Sequence, residues 1–84
     1  MNQDQVLTVQ ARAPFELYYR GSALSVSAIN KVGKFDILPG HADFFSVINP
    51  GDILIETENE EITIPVTSGI VCVKDDEVLL FLNF

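Results

Sequence analysis

Apolar and polar residues alternate along much of this chain with a period of two. Leu24, Val26 and Ala28 share one side of an extended segment, with Ser25 and Ser27 on the other. Ile62, Ile64 and Val66 likewise stand opposite Glu61, Thr63 and Thr67. Successive side chains on a strand point to opposite faces, so each segment reads as a half-buried strand. A helical pattern, with apolar residues at i, i+3, i+4 and i+7, runs through three turns nowhere. Further strand candidates are Val6–Ala11, Phe15–Tyr19, Phe35–Leu38, Phe44–Ile48, Ile53–Thr57, Ile70–Val73 and Val78–Leu82. Gly21, Gly33, Pro39-Gly40, Asn49-Pro50-Gly51-Asp52, Asn59, Ser68-Gly69 and Asp75-Asp76 separate them, and all favour backbone conformations that end strands. Such spacing predicts an all-β fold: a small β-sandwich or flattened barrel of about eight to ten short, mostly antiparallel strands.

Individual residues refine the picture. Pro65 cannot donate to a ladder, so its strand is expected at a sheet edge with the nitrogen facing outward. Glu56, Glu58, Glu60 and Glu61 flank Asn59 and read as the solvated tip of a hairpin, whose charges oppose pairing with other chains. Phe44 and Phe45 are adjacent, so one enters the core while the other needs a second buried layer or a partner.

With 84 residues the chain is expected to form a single domain over 1–84. It has one cysteine, Cys72, and one histidine, His41, so apolar packing has to hold the fold without a disulfide. Cys72 lies within Val71-Cys72-Val73 and is expected to behave as a small buried hydrophobe, which suits a reducing compartment. Residues Met1–Gln5 show no basic cluster followed by an apolar stretch, and the longest purely apolar run, Val78–Leu82, is too short to cross a bilayer, which predicts a soluble protein. The net charge of −7 is unevenly placed: residues 1–42 hold four Lys/Arg against three Asp/Glu, and residues 43–84 hold one against nine. Such a surface repels phosphate backbones, so nucleic acid is not an expected partner, and the near-neutral first half is expected to be the freer side for docking on protein.

Catalytic chemistry finds little support. His41 would have to serve Ser46, Ser68 or Cys72 with an acid behind it, and no G-x-S-x-G elbow occurs. Asp36, His41 and Asp43 match no metal-ligand spacing, and Asp75-Asp76-Glu77 lacks the calcium-loop pattern. His41 follows a Pro-Gly turn and is expected to bond nearby backbone. No catalytic residue, metal or cofactor is expected.

The segment Gly33-Lys34-Phe35-Asp36-Ile37-Leu38-Pro39-Gly40-His41-Ala42 resembles the signature G-x-F-G-I-L-P-G-H-A of the epsilon subunit of rotary F-type ATP synthases. Pro14 followed by Tyr18-Tyr19-Arg20-Gly21 is similar to its P-x-x-x-L-F-x-G, and Ile48-Asn49-Pro50-Gly51 to its I-x-P-G turn. Ser68-Gly69-Ile70-Val71-Cys72-Val73 resembles its G-G-I-L-x-V strand. The resemblance covers residues 7–82.

It implies the amino-terminal β-sandwich domain of epsilon, a non-catalytic rotor part that binds the gamma subunit and the top of the c-ring. In that setting the protein would be cytoplasmic and peripheral on the inner face of the cell membrane, coupling proton transport to ATP synthesis. Lys34, Phe35, Asp36, Gly40, His41 and Asp43 would lie on or beside the partner-facing loops, with Gly40 supplying the positive φ of the turn. The chain departs from the pattern at Lys34, often acidic in the family, and at Asp36 and Ser68, where glycine is usual. Cys72 stands where many members have Glu. The family's two carboxy-terminal helices, which can inhibit ATP hydrolysis, have no counterpart before Phe84 and are expected to be absent. A stand-alone adaptor docking through Phe44-Phe45 or the acidic half is the alternative reading, and a metal-assisted hydrolase around His41 a remote third.

Overall fold

The computed structural model describes residues 5–84; residues 1–4, part of the segment read above as lacking a leader, lie outside it. Nine strands follow one another: β1 (Leu7–Ala13), β2 (Glu16–Ala23), β3 (Ser25–Asn30), β4 (Gly33–Ile37), β5 (Phe44–Ile48), β6 (Gly51–Glu56), β7 (Glu61–Val66), β8 (Gly69–Lys74) and β9 (Glu77–Leu82). They form a five-stranded sheet in the order β2-β1-β9-β8-β5 and a four-stranded sheet in the order β4-β3-β6-β7. All pairings are antiparallel except β1 with β9. The shortest dimension, 18 Å, is that of two sheets stacked about 10 Å apart with their outer side chains. The expected all-β sandwich is therefore the fold observed.

One core fills the space between the sheets. Val9, Ala11, Val71, Val73, Val78, Leu80 and Leu82 enter it from the larger sheet, and Val26, Ala28, Ile37, Ile53, Ile55, Ile64 and Val66 from the smaller. Most are β-branched or aliphatic residues that suit a pleated, half-buried surface. β3 also touches β5: the Asn49 amide donates to the Ile29 carbonyl at 2.8 Å, and Asn30 Nδ2 donates to Ser46 Oγ at 3.2 Å. The opposite side is bridged by Asn83, in a left-handed conformation at φ 53°. Its Oδ1 accepts from the Thr67 amide at 2.9 Å, and its Nδ2 donates to Tyr18 Oη at 3.1 Å.

Pro65 lies on β7, an edge strand as expected, and the acidic tip closes β6 onto β7 through the Thr57 hydroxyl, which accepts from the amides of Asn59 and Glu60. Several expectations need correction. Leu24 does not share a face with Val26 and Ala28; it points outward while Ala23 is buried, because the chain crosses between sheets there and resets the alternation. Gly21 does not end a strand, since β2 runs through it to Ala23, and Phe15 belongs to the turn before β2. A β-bulge explains the extra length: Ala11 pairs with Tyr19 and Arg12 with Leu17, so Tyr18 is the unpaired residue and both tyrosines pack against the core. Cys72 is exposed, because its neighbours Val71 and Val73 take inward positions of β8. The halves of the chain are also not two sides of the molecule, since the larger sheet mixes strands from both ends.

Gly69 is required for space. A Cβ there would lie 3.0 Å from Leu82 Cδ2 and 3.3 Å from Ile48 Cβ. We expect Gly69→Ala to destabilise the fold by about 1–3 kcal/mol, read as a lower urea midpoint with an unchanged slope.

Candidate functional site

The loop from Leu38 to Asp43 carries the chain from β4 in one sheet to β5 in the other. Leu38-Pro39-Gly40-His41 forms a tight turn in which the His41 amide donates to the Leu38 carbonyl at 3.1 Å and Gly40 has φ +85°. Proline at the second position and glycine at the third match a type II turn. His41 Nδ1 lies 2.7 Å from the Ala42 carbonyl, the local backbone contact expected of it, and its ring meets the Phe44 ring edge-on at 5.4 Å. Phe44 packs in turn on Phe35, also at 5.4 Å. An aromatic ladder thus ties the loop to the core.

The predicted site residues divide into three groups. Gly40, His41 and Asp43 belong to the loop, where Asp43 lies 4.0 Å from Lys74 in an exposed ion pair of little energetic weight. Phe35 points inward and supports the loop from beneath. Lys34 and Asp36 project from the outer face of edge strand β4, with Asp36 accepting from Ser27 Oγ at 2.6 Å. Lys34 sits about 13 Å back along the strand from Leu38. Among the described residues no group of three or more His, Cys, Asp or Glu is placed to hold a metal ion.

A broader feature lies on the outer face of the five-stranded sheet. Two rows of side chains cross it: Phe45, Cys72, Leu79, Gln10 and Arg20 in one, and Val47, Ile70, Phe81, Arg12 and Leu17 in the next. The β5, β8 and β9 part is apolar, with Phe45 65% and Val47 62% exposed, and the β1 and β2 part carries Arg12 and Arg20. A hollow of about 380 Å³ opens at one end among Arg12, Pro14, Ile70, Phe81 and Phe84. The outer face of the other sheet is polar and acidic, with Asp36, Asp52, Glu56 and Glu61 against Lys34. Phe45 has no second layer within the described residues and stands exposed on this face. The sequence reading reached Phe45 but missed Val47, Ile70, Cys72, Leu79 and Phe81. The available signal was that β5, β8 and β9 are apolar at both parities, and in a fold with one core layer half of such a strand must remain uncovered.

The chain is thus a two-layer β-sandwich with one apolar outer face and a tightly turned loop at its end. Residues 6–83 match the family described as the ATP synthase, Delta/Epsilon chain, beta-sandwich domain, and the chain belongs to that family. It is 38% identical over 66 residues to the ATP synthase epsilon chain of Vesicomyosocius okutanii, covering 79% of this chain and 48% of that one. Against the epsilon chain of Synechococcus elongatus it is 31% identical over 77 residues, covering 92% and 56%. The chain therefore spans about half the length of these curated relatives. Its fold is also that of a chain in the Euglena gracilis mitochondrial ATP synthase (OSCP/F1/c-ring), with a TM-score of 0.87 at 16% identity, covering 98% of this chain and 53% of that one. A chain in the central stalk/c-ring structure of the Tetrahymena thermophila mitochondrial enzyme gives 0.82 at 19%, covering 99% and 67%.

Gly40 has open space around its α-carbon, so a methyl group there adds only backbone strain. Gly40→Ala is expected to lose about 1 kcal/mol, seen as a melting temperature lower by roughly 4–8 °C, with Gly40→Asn affected less.

Proposed function

We propose that this chain acts as the β-sandwich domain of a non-catalytic central-stalk subunit in a rotary F-type ATP synthase. It binds the gamma subunit and the c-ring and so couples proton transport to ATP synthesis. The observation that carries this reading is the continuity of two contact surfaces. The apolar outer face of the larger sheet begins at β5, and β5 is entered directly from the Leu38–Asp43 loop. A broad apolar face suits a permanent protein neighbour, since contiguous exposed apolar surface marks sites of association. The narrow loop, which exposes Leu38 beside His41 and Asp43 and has Lys34 and Asp36 behind it, suits a second neighbour at the end of the sandwich. We assign gamma to the face and the ring to the loop, keeping Lys34, Phe35, Asp36, Gly40, His41 and Asp43 as the loop-side residues. The names of the curated relatives and the c-ring assemblies of the solved neighbours support the reading.

Docked in this way the domain is peripheral to the inner face of the cell membrane, on the cytoplasmic side. Its own contribution is stiffness: a close-packed core between two sheets passes load from one surface to the other with little deformation.

Cys72 offers a direct test, because it is the only cysteine and lies exposed within the proposed gamma face. Alkylation with a bulky maleimide is expected to weaken retention on a gamma-containing subcomplex about tenfold or more, while a Thr63→Asp change on the opposite face leaves it unaltered. An intact synthase purified from the source cells without this polypeptide would refute the assignment.

A further inference from the structure

We infer that the Asp76 carboxylate is the positioning group that holds the Leu38–Asp43 loop in its presented form, an assignment that rests on the loop being a partner contact. Asp75 and Asp76 form the two-residue turn between β8 and β9, with φ 52° and 62°. Two consecutive positive φ values mark the hairpin turn whose twist matches its strands. Asp76 is fixed in two further ways. Its carbonyl accepts from the Thr8 amide at 2.8 Å, next to the first bridge of the parallel β1–β9 pair, and its Oδ1 accepts from the Gly40 amide at 2.8 Å across 36 positions of sequence.

That second bond reaches the tip of the signature turn. Pro39 has no N–H, and the His41 amide is already engaged by Leu38. Gly40 therefore supplies the backbone donor through which the tip can be tied to another element, and a carboxylate acceptor makes that bond a charge-assisted one. The remaining ties are the His41–Phe44 ring contact and the exposed Lys74–Asp43 pair, neither of which fixes the backbone at Gly40. The acidic pair looks like a solvated turn in sequence, yet in the fold it is the stop against which the loop rests.

The test uses the full chain with Asp76→Asn and Asp76→Gly. Both residues accept a positive φ, but only asparagine retains an acceptor oxygen. Amide exchange followed by NMR should show the Gly40 N–H exchanging about tenfold faster in D76G and within about threefold of the parent in D76N, while the core amide of Leu80 is unchanged in both. A D76G protein whose Gly40 amide stays within that threefold range, or a D76N protein as fast as D76G, would overturn the inference. Retention on a purified gamma and c-ring subcomplex should fall in D76G and be restored in D76N. If the loop loosens in D76G while retention is unchanged, the clamp stands and the reading of the loop as a partner contact fails.

Discussion

The structure depends on a single layer of apolar side chains that two sheets must share. A chain of this length without disulfides can bury only one such layer, and each strand contributes every second residue to it. Once the layer is closed, every apolar residue of the opposite parity lies on an outer surface. On the smaller sheet those positions are mostly serine, threonine and acids. On β5, β8 and β9, apart from the Lys74–Glu77 pair at the hairpin end, they are phenylalanine, valine, isoleucine, cysteine and leucine. The same constraint that builds the fold therefore also makes one face unlike the other.

The sides of the sandwich are closed by different means. Near β5 the sheets meet through backbone and side-chain bonds from β3, and near β2 they meet through Asn83, which reaches Tyr18 of one sheet and the segment after β7 of the other. These cross-sheet bonds oppose sliding between the layers, which the apolar contacts between them resist only weakly because they are non-directional. The bulge at Tyr18 serves this arrangement, since without the extra residue Tyr18 and Tyr19 could not both approach the core.

Most of the fold was legible in the sequence, because period-two alternation survives wherever one face is polar, as in β3 and β7. Its failures have physical causes. The phase at Leu24 was lost because the alternation resets where a chain changes sheets. Cys72 was expected inside because an apolar tripeptide does not reveal which parity points inward. Gly69 reads as a turn former, yet its place is fixed by the side chains of Ile48 and Leu82, which come from distant strands. In the candidate site the Pro-Gly turn and its histidine could be read directly, because type II chemistry is local. The apolar outer face and the bond from Asp76 to Gly40 could not, since both arise from strands that come together only in the folded molecule.

At the centre of the larger sheet the first and last strands run side by side in the same direction, matched at five positions from Thr8 to Arg12. A pull applied between residues 7 and 82 drives these neighbours past each other lengthwise. Their bonds then share the strain and must give way as a group, whereas a terminal hairpin pulled at its open end would unzip one rung at a time. The domain is consequently most resistant to tension along the very axis on which its own ends lie.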